Sequence, residues 1–192
     1  IRYERRTLRR FRHVVAVSEH DRRLMSASLD PSRITVVPTG VDAMRFGETA
    51  AREPAGPIVL FLGSMDWEAN IDGVEWMCEH VWPEVRQAVP ESRFRIVGRN
   101  PHARVKRLAG ETVEVTGRVP SVDKYLTDAA VVVVPLRIGG GTRLKIFEAM
   151  SAGRAVVSTT IGAEGLPVTH GSDILLADDP AAFAGAVTRV LT

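Results

Sequence analysis

The chain has 192 residues, of which 45% are hydrophobic and 25% are charged, a balance typical of globular proteins. This apolar content excludes an intrinsically disordered chain, because enough side chains can be buried to offset the loss of chain entropy. The formal net charge is +2, and the longest apolar run, residues 129–136, is far shorter than the roughly 20 residues that a transmembrane helix needs. The length predicts one domain, alone or with a fragment of a second.

Basic charge is concentrated at the start of the chain. Six of the 25 Lys and Arg residues lie among the first twelve residues, together with a single acid. Such a basic arm can contact nucleic acid or anionic lipid, although a charge run is more often a solvated helix face or a linker. We expect no nucleic-acid partner, and a membrane-facing helix and an inter-domain helix remain alternatives for residues 1–12.

The cysteine content and the first residues indicate a compartment. Cys78 is the only cysteine, so no intrachain disulfide can form, and the chain fits a reducing compartment. The chain begins with Ile1 instead of Met, and its first residues lack the apolar core of a secretory signal. These features predict a piece of a longer cytoplasmic protein, with peripheral attachment to the inner face of the membrane as an alternative.

The first 56 residues contain two short predicted strands and one polar segment. Apolar runs at residues 13–17 and 34–37 predict strands, and residues 21–29 between them have a helical pattern. Pro38 ends the second strand. Residues 47–56 are small and polar, so we predict a linker there.

From residue 57 onward, short apolar runs alternate with amphipathic stretches. The predicted strands cover residues 57–63, 93–98, 113–116, 131–136, 155–159 and 174–177. The predicted helices cover residues 72–89, 102–108, 122–127, a stretch that ends at Gly153, and 180–191. Strands that are apolar throughout are covered on both faces, and their alternation with helices indicates βαβ crossovers. The pattern predicts an α/β fold with a Rossmann-like doubly wound parallel sheet of about six strands, whose ligand lies at the carboxyl ends of the strands.

A glycine-rich loop follows the most hydrophobic predicted strand and leads directly into a helix. Consecutive glycines leave backbone N–H groups unshielded, and the start of the helix adds its dipole, so the loop is a candidate anion site. The expected phosphate-binding residues are Gly139, Gly140, Gly141, Thr142, Arg143 and Lys145. The alternative is a flexible turn with a solvated basic rim. No P-loop pattern is present, and no GxGxxG follows the first strand of the sheet, which argues against a dinucleotide.

Other polar residues near the predicted carboxyl edge are candidates for the remaining contacts. Glu148 is the only acid on the helix after the glycine loop; its carboxylate either accepts hydrogen bonds from a ribose diol or is exposed to solvent. Residues 117–119 follow the third strand of the sheet and offer backbone groups to a base. Trp67 in the loop GSMDWEAN either stacks on a ring or anchors packing. The five His residues are scattered, without the spacing of a metal site.

These segments together resemble the C-terminal half of a family-4 retaining glycosyltransferase with the GT-B fold. The inter-domain hinge of that family is similar to HVVAVSEHDRRLM and ITVVPTGVDAMRF, and its first C-domain strand and loop are similar to IVLFLGSMDWEANIDGVEW. The rest of the nucleotide-sugar half resembles VEVTGRVPSVDKYLTDAAVVVVPL and GGGTRLKIFEAMSAGRAVVSTTIGAEGL. The GSMDW and GGGTRLK loops together resemble one sub-branch, and the resemblance covers nearly the whole chain from residue 13.

The resemblance implies a division of the chain and an activity. Residues 1–46 would be a remnant of the N-terminal domain and the inter-domain hinge, residues 47–56 a linker, and residues 57–192 the Rossmann-like donor domain. The family moves a sugar, here of the hexosyl type, from a nucleotide-diphosphate sugar to an acceptor hydroxyl with retention at the anomeric carbon, in polysaccharide biosynthesis. The implied partners are that donor, the missing N-terminal domain and an acceptor saccharide or lipid-linked acceptor. No cofactor and no metal are implied, and we expect the isolated chain to bind nucleotide without turnover.

The resemblance also implies roles for individual residues. The second Glu of the E-x7-E motif of the family falls at Glu148, which would hold the ribose hydroxyls, whereas the first falls at Gly140 and is missing. The residues implied to hold the donor sugar and diphosphate are Gly63, Ser64, Gly139, Gly140, Gly141, Thr142, Arg143 and Lys145. The residues implied to receive the base through main-chain groups are Gly117, Arg118 and Val119.

Two cations of the family are absent from this chain. An Arg and a Lys that neutralise the leaving diphosphate fall at Ser64 and Ala69, which is an electrostatic deficit because charge that develops in the transition state must be stabilised. We expect Arg143 and Lys145 to replace them. The alternative is a catalytically degenerate module that binds a nucleotide sugar or a partner. An epimerase and an NAD enzyme are disfavoured, since the catalytic acids of the first and the glycine fingerprint of the second are not found.

Overall fold

A computed structural model describes residues 2–139 and 143–192 of the chain. The predicted roles of Gly140, Gly141 and Thr142 therefore lie outside the described residues. The order of elements confirms the α/β class, with a small N-terminal unit followed by a six-stranded parallel sheet that is flanked by helices.

The N-terminal unit is built around a pair of parallel strands. It consists of α1 (Arg2–Leu8), β1 (Val14–Ala16), α2 (Glu19–Ser26) and β2 (Ile34–Val36). β1 pairs with β2, and a small separate core forms from Ala16, Leu29 and Ile34. α2 begins at Glu19, earlier than predicted, because Ser18 caps it. The Ser18 hydroxyl accepts a hydrogen bond from the Asp21 N–H at 3.0 Å.

The predicted linker is partly helical and packs on the main domain. A short 3-10 turn (Ala43–Phe46) runs into α3 (Gly47–Ala50), and Phe46 is buried in the main hydrophobic core. The buried Arg154 guanidinium donates hydrogen bonds to the carbonyl oxygens of Thr49 at 2.8 Å and Arg52 at 2.5 Å. Residues 47–56 are therefore attached to the main domain although their small and polar composition predicts a linker. The side chains that attach them, Phe46 and Arg154, lie outside this segment.

The main sheet has the predicted six parallel strands. They are β3 (Ile58–Leu62), β4 (Arg93–Val97), β5 (Val113–Gly117), β6 (Val131–Val134), β7 (Ala155–Ser158) and β8 (Leu175–Leu176). The spatial order is β5-β4-β3-β6-β7-β8. The first strand of the domain thus has β4 on one side and β6 on the other, which places the topological switch point between β3 and β6. Side chains of β3 and β6 are buried on both faces, as continuous apolar runs predict.

Helices cover both faces of the sheet. They are α4 (Glu68–Trp76), α5 (Trp82–Ala88), α6 (Ala103–Lys106), α7 (Asp123–Asp128), α8 (Leu144–Ser151) and α9 (Pro180–Leu191). The single helix predicted over residues 72–89 begins earlier, at Glu68, and contains a π-helical turn (Met77–Val81) before α5. Pro83 at the start of α5 lacks the N–H that a continuous α-helical ladder requires, which accounts for the irregular turn.

Two helical glycines are expected to respond in opposite directions to an added methyl group. Gly185 in α9 has no atom within 4 Å of an added Cβ, so Gly185→Ala should raise the free energy of unfolding by about 0.5–1 kcal/mol through the helix propensity of Ala. At Gly73 in α4 the Cβ would lie 2.8 Å from the Pro135 carbonyl oxygen, so Gly73→Ala should lower it by about 1–3 kcal/mol. Urea unfolding of both variants measures the difference, and a destabilised Gly185→Ala would contradict this packing.

Candidate functional site

The loops after β3 and β4 meet at the carboxyl edge of the sheet. The Gly63 N–H donates to the Val97 carbonyl oxygen at 3.1 Å, and the Met65 N–H donates to the Arg99 carbonyl oxygen at 2.9 Å. A Cβ on Gly98 would lie 1.6 Å from the Gly63 carbonyl oxygen, so only glycine allows this approach. The contact fixes where the chain leaves β3, next to the switch point.

The ammonium group of Lys145 reaches from α8 to this edge. Its Nζ lies 3.2 Å from Asn70 Oδ1 and 4.3 Å from the centre of the Phe61 ring. A Cβ on Gly63 would lie 3.0 Å from Lys145 Nζ and 2.8 Å from Asn70 Nδ2. The structure therefore brings Gly63 and Lys145 together, and a glycine at position 63 leaves room for the ammonium.

The electrostatic environment of Lys145 is unusual for a lysine. Burial lowers the pKa of the Lys145 ammonium to about 7, the positive charge of Arg143 lowers it as well, and Glu148 acts in the opposite direction. Burial also lowers the pKa of Arg143, while Glu164 raises it. Arg143 and Lys145 are neighbouring cations that are both partly withdrawn from water. A bound anion would offset the repulsion between the two charges and the cost of burying them.

The beginning of the glycine loop lies against the start of α4. Gly139 has φ +104°, in the left-handed region, and a Cβ there would lie 3.3 Å from Arg143 Nη2 and 3.4 Å from Ala69 Cβ. Ala69 is itself buried, with 4% of its surface exposed. Gly139 thus lies beside Ala69, and the ammonium of Lys145 lies at Asn70, the next residue along α4.

An ion pair ties the glycine loop to α4. The Arg137 guanidinium donates to both carboxylate oxygens of Asp72, Nη2 to Oδ1 at 2.5 Å and Nε to Oδ2 at 3.1 Å. Its Cζ also lies 5.9 Å from the centre of the Trp76 ring. Such a bidentate pair restricts both partners, so the loop leaves β6 in a defined direction.

Ser64 belongs to a polar cluster at the ends of β3 and β4. Its hydroxyl donates to Asp66 Oδ1 at 2.6 Å and accepts from Arg99 Nε at 3.0 Å, and Asn100 Nδ2 donates to Asp66 Oδ2 at 2.9 Å. The hydrogen bonds from Ser64 and Asn100 hold the pKa of the Asp66 carboxyl below its usual value. A cation, Arg99, therefore lies beside Ser64, at the position where the resemblance implies an Arg.

The predicted ribose and base residues lie on different elements of the same edge. Glu148 is half-buried on α8, one turn beyond Lys145, so both side chains share a helix face. Gly117 ends β5 with φ +74°, Arg118 is exposed, and Val119 packs on the core. β5 is two strand positions from β3, or roughly 10 Å at ordinary strand spacing.

Two charged residues at this edge have no place in the predicted site. Glu164 follows β7, acts electrostatically on Arg143, and lies 3.6 Å from His20 Nε2 of the N-terminal unit. Arg99 follows β4 and contacts Ser64. The sequence indicates both residues by their position, because each follows a predicted buried strand. Loops that follow such strands lie at the carboxyl edge of the sheet.

A cavity of about 390 Å³ lies between the N-terminal unit and α8. Its lining combines Val17, His20 and Val36 of that unit with Phe147 and Leu166 of the main domain. Phe147 neighbours Glu148 along α8, so the cavity adjoins the carboxyl edge from the side of the N-terminal unit.

Residues 2–139 and 143–192 give little support for a metal site, a cysteine nucleophile or a membrane-spanning helix. No group of three or more His, Cys, Asp or Glu side chains in these ranges is placed to hold a metal ion. Burial raises the pKa of the Cys78 thiol to about 12, which removes it as a nucleophile. In the same ranges no helix is both long and apolar enough to cross a membrane.

Two models of protein families match this chain. The model for glycosyl transferases group 1 matches residues 56–192, and the model for glycosyltransferase family 4 matches residues 1–45. The chain belongs to the group 1 glycosyl transferases. A curated relative, described as an uncharacterized 44.6 kDa protein in the cps region of Klebsiella pneumoniae, is 27% identical over 135 residues, which cover 66% of this chain and 35% of that protein.

Solved structures of glycosyltransferases share the fold of this group 1 chain. A mutant of S. aureus TarM in complex with fondaparinux, alpha-GlcNAc-glycerol and UDP has a TM-score of 0.80 and 18% identity, over 99% of this chain and 39% of that chain. Anabaena HepE in complex with UDP and glucose has a TM-score of 0.72 and 17% identity, over 96% and 57%. Sucrose-phosphate synthase from Thermosynechococcus elongatus has a TM-score of 0.73 and 22% identity, over 98% and 51%.

These likenesses confirm the predicted fold of a GT-B glycosyltransferase, with helices around a six-stranded parallel sheet. The chain spans between 35% and 57% of the length of the relatives named here. The predicted division at residues 46 and 56 and the predicted residue roles remain predictions.

Proposed function

We propose that this chain is the donor-binding part of a retaining glycosyltransferase and holds the diphosphate of a nucleotide sugar at the carboxyl edge of β3. The observation that carries the proposal is the position of Lys145 Nζ, 3.2 Å from an amide oxygen of Asn70 and beside Gly63. An ammonium whose protein partner is uncharged has no carboxylate to neutralise it, so in its protonated form it can bind an anionic ligand. Two of the structural relatives, Anabaena HepE and a TarM mutant, were solved in complexes that contain UDP.

The chemistry assigned to these residues is stabilisation of a leaving group. In the transfer, the bond between the anomeric carbon and the diphosphate oxygen breaks, and a bond to the acceptor oxygen forms on the same face. The acceptor proton leaves with the diphosphate or with solvent, and the departing nucleoside diphosphate gains negative charge. Arg143 and Lys145, with the backbone N–H groups of the glycine loop, would stabilise that charge without a metal ion.

The remaining contacts follow the order of the elements along the edge. Glu148 would accept hydrogen bonds from the ribose hydroxyls, and residues 117–119 would meet the base through their main chain. We propose a hexosyl donor and a saccharide or lipid-linked acceptor, with the acceptor bound by an N-terminal domain of which residues 1–46 are the end. Turnover then needs that domain, because the reaction is enclosed between the two.

Calorimetric titration of the chain with UDP, GDP and ADP, with and without Mg²⁺, tests the proposal. We expect saturable binding of one nucleotide, independent of the metal. Arg143→Ala should weaken that binding about 10- to 100-fold, since a charge-assisted hydrogen bond contributes about 1.5–3 kcal/mol. Arg107→Ala, a charge removed from an exposed position directly after α6, is the matched control and should leave the affinity within twofold. Wild-type chain that binds none of the three nucleotides would contradict the proposal.

A second candidate is a nucleotide-sugar-binding module without catalysis. It is favoured by Ser64 and Ala69, which replace the two cations that the family resemblance implies. The two candidates differ in transferase activity once the chain is joined to its N-terminal domain. Turnover of a nucleotide sugar by that joined protein, lost with Lys145→Met, would exclude the second candidate.

A further inference from the structure

Asn70 is the residue that determines how the Lys145 ammonium is presented. It lies in the first turn of α4, and only 7% of its surface is exposed. Its Nδ2 donates to the Ser64 carbonyl oxygen at 2.8 Å, and its Oδ1 lies 3.2 Å from Lys145 Nζ. Because a carbonyl oxygen can only accept, the bond to Ser64 fixes which end of the amide faces Lys145. One buried amide therefore links the loop after β3 to the lysine of α8.

Three arginines of this domain pair with carboxylates. Arg104 pairs with Glu68 and Glu75. Arg95 pairs with Glu114 and Asp128, and Arg137 pairs with Asp72. Lys145 instead contacts an amide and the face of the Phe61 ring, which are both uncharged. A carboxylate at position 70 would neutralise the ammonium, whereas an amide positions it and adds no charge.

We propose that Asn70 is a positioning residue that holds Lys145 ready to be protonated, so that binding of the donor diphosphate is coupled to the uptake of one proton by Lys145. The proton comes from the solvent and goes to Nζ, and no bond between heavy atoms changes. The inference rests on the proposed function, because it requires the diphosphate to bind beside Lys145.

The charges that face Lys145 determine the sign of the coupling. Arg143 and Glu148 on α8 act on it in opposite directions, and the residues facing it from β3 and α4, Phe61 and Asn70, are uncharged. Burial lowers the pKa of Lys145 to about 7, so at pH 8 most free chains carry a neutral amine. A diphosphate beside Nζ favours the ammonium form and raises its pKa. Binding at pH 8 therefore takes up close to one proton, and binding well below pH 7 takes up none.

The test is calorimetry with nucleotide sugars, whose diphosphate carries no group that titrates near neutral pH. UDP-glucose, GDP-mannose and ADP-glucose are each titrated at pH 6 and pH 8, in two buffers that differ in ionisation enthalpy. The slope of the observed enthalpy against the buffer enthalpy gives the number of protons taken up. For the donor that binds, we expect about one proton at pH 8, close to zero at pH 6, and an affinity that falls about tenfold per pH unit above pH 7.5.

Two variants separate the proposed role of Asn70 from simple stability. Asn70→Asp supplies a carboxylate to Lys145, which should keep the ammonium charged, abolish the proton uptake at pH 8 and weaken donor binding about tenfold at pH 7. Gln87→Glu makes the same change from amide to carboxylate at an exposed position on α5, away from Lys145, and should keep the uptake of about one proton. Circular dichroism confirms that both variants are folded.

The outcomes distinguish this inference from the function on which it rests. Donor binding without buffer-dependent heat at pH 8 would overturn the coupling and leave the proposed function standing. Undiminished uptake in Asn70→Asp would overturn the role of Asn70. Failure of the wild-type chain to bind any of the three nucleotide sugars would overturn both the proposed function and the coupling.

Discussion

Lys145→Met is expected to weaken nucleotide diphosphate binding about 10- to 100-fold and at the same time to stabilise the fold. The loss of affinity follows from removing a charge-assisted hydrogen bond, which contributes about 1.5–3 kcal/mol. The gain in stability follows from the location of the ammonium above the Phe61 ring, where an unbranched apolar side chain fills the same space without the cost of a buried charge. Calorimetry measures the first effect and urea unfolding the second.

The pH dependence of stability gives this variant a second signature. The pKa of Lys145 in the folded chain is about 7, below its ordinary value, so above pH 7 the unfolded chain binds more protons than the folded one. The free energy of unfolding of the wild-type chain should therefore rise with pH from about 7 until the ordinary lysine pKa of about 10.4 is reached. Lys145→Met should lack this rise, and its advantage in stability should disappear at high pH.

The control for this variant is another lysine. Lys106 is exposed in α6, and Lys106→Met removes the same charge far from the carboxyl edge of β3. It should change neither the affinity by more than about twofold nor the pH dependence of unfolding. Equal losses of affinity in the two variants would show that net charge, and not the position of Lys145, governs binding. A destabilised Lys145→Met would contradict the buried position of the ammonium.

Arg154→Met is expected to lower the free energy of unfolding by about 2–4 kcal/mol. The Arg154 guanidinium is buried and donates to the carbonyl oxygens of Thr49, Arg52, Ala129 and Ala152. Methionine has a similar length but no donors, so these acceptors lose their partners inside the fold, at about 1 kcal/mol or more for each that water cannot reach. Urea unfolding followed by far-UV circular dichroism measures the change.

The same variant should loosen the attachment of residues 47–52. Two of the four acceptors belong to this segment, and the other two belong to the main domain, so one side chain joins them. Hydrogen exchange should increase in residues 47–55 in Arg154→Met more than in β3. Arg107→Met, at an exposed position, is the control and should stay within about 0.5 kcal/mol of the wild-type chain. An unchanged exchange rate in this segment would show that contacts other than those of Arg154 attach it.

The sheet could be predicted because its two central strands are apolar throughout. Residues 57–63 and 131–136 contain β3 and β6, which are buried on both faces, and such runs between helical stretches permit few arrangements other than a parallel sheet. The sequence also predicts the glycine loop and the lysine that follows it as parts of one candidate anion site, since a helix starts after glycines at a strand end, and that role stays a prediction.

The destination of the Lys145 side chain could not be predicted in the same way. The position of a lysine along a helix predicts the helix face on which it lies. The ammonium, however, is several bonds from the backbone, and its contacts depend on Gly63 and Asn70, which belong to other elements. The attachment of residues 47–52 was missed for a similar reason. Its composition is that of a linker, and the groups that hold it, Phe46 and Arg154, act through tertiary contacts that local pattern does not contain.

The measurement that tests the central claim most directly is a crystal structure of the chain with the nucleoside diphosphate that it binds. We predict that a phosphate oxygen lies within hydrogen-bond distance of Lys145 Nζ, near Gly63, and that the ribose hydroxyls contact Glu148. A nucleotide bound elsewhere, for example in the cavity lined by Val17 and Phe147 or at Arg99 alone, would contradict the proposed donor site.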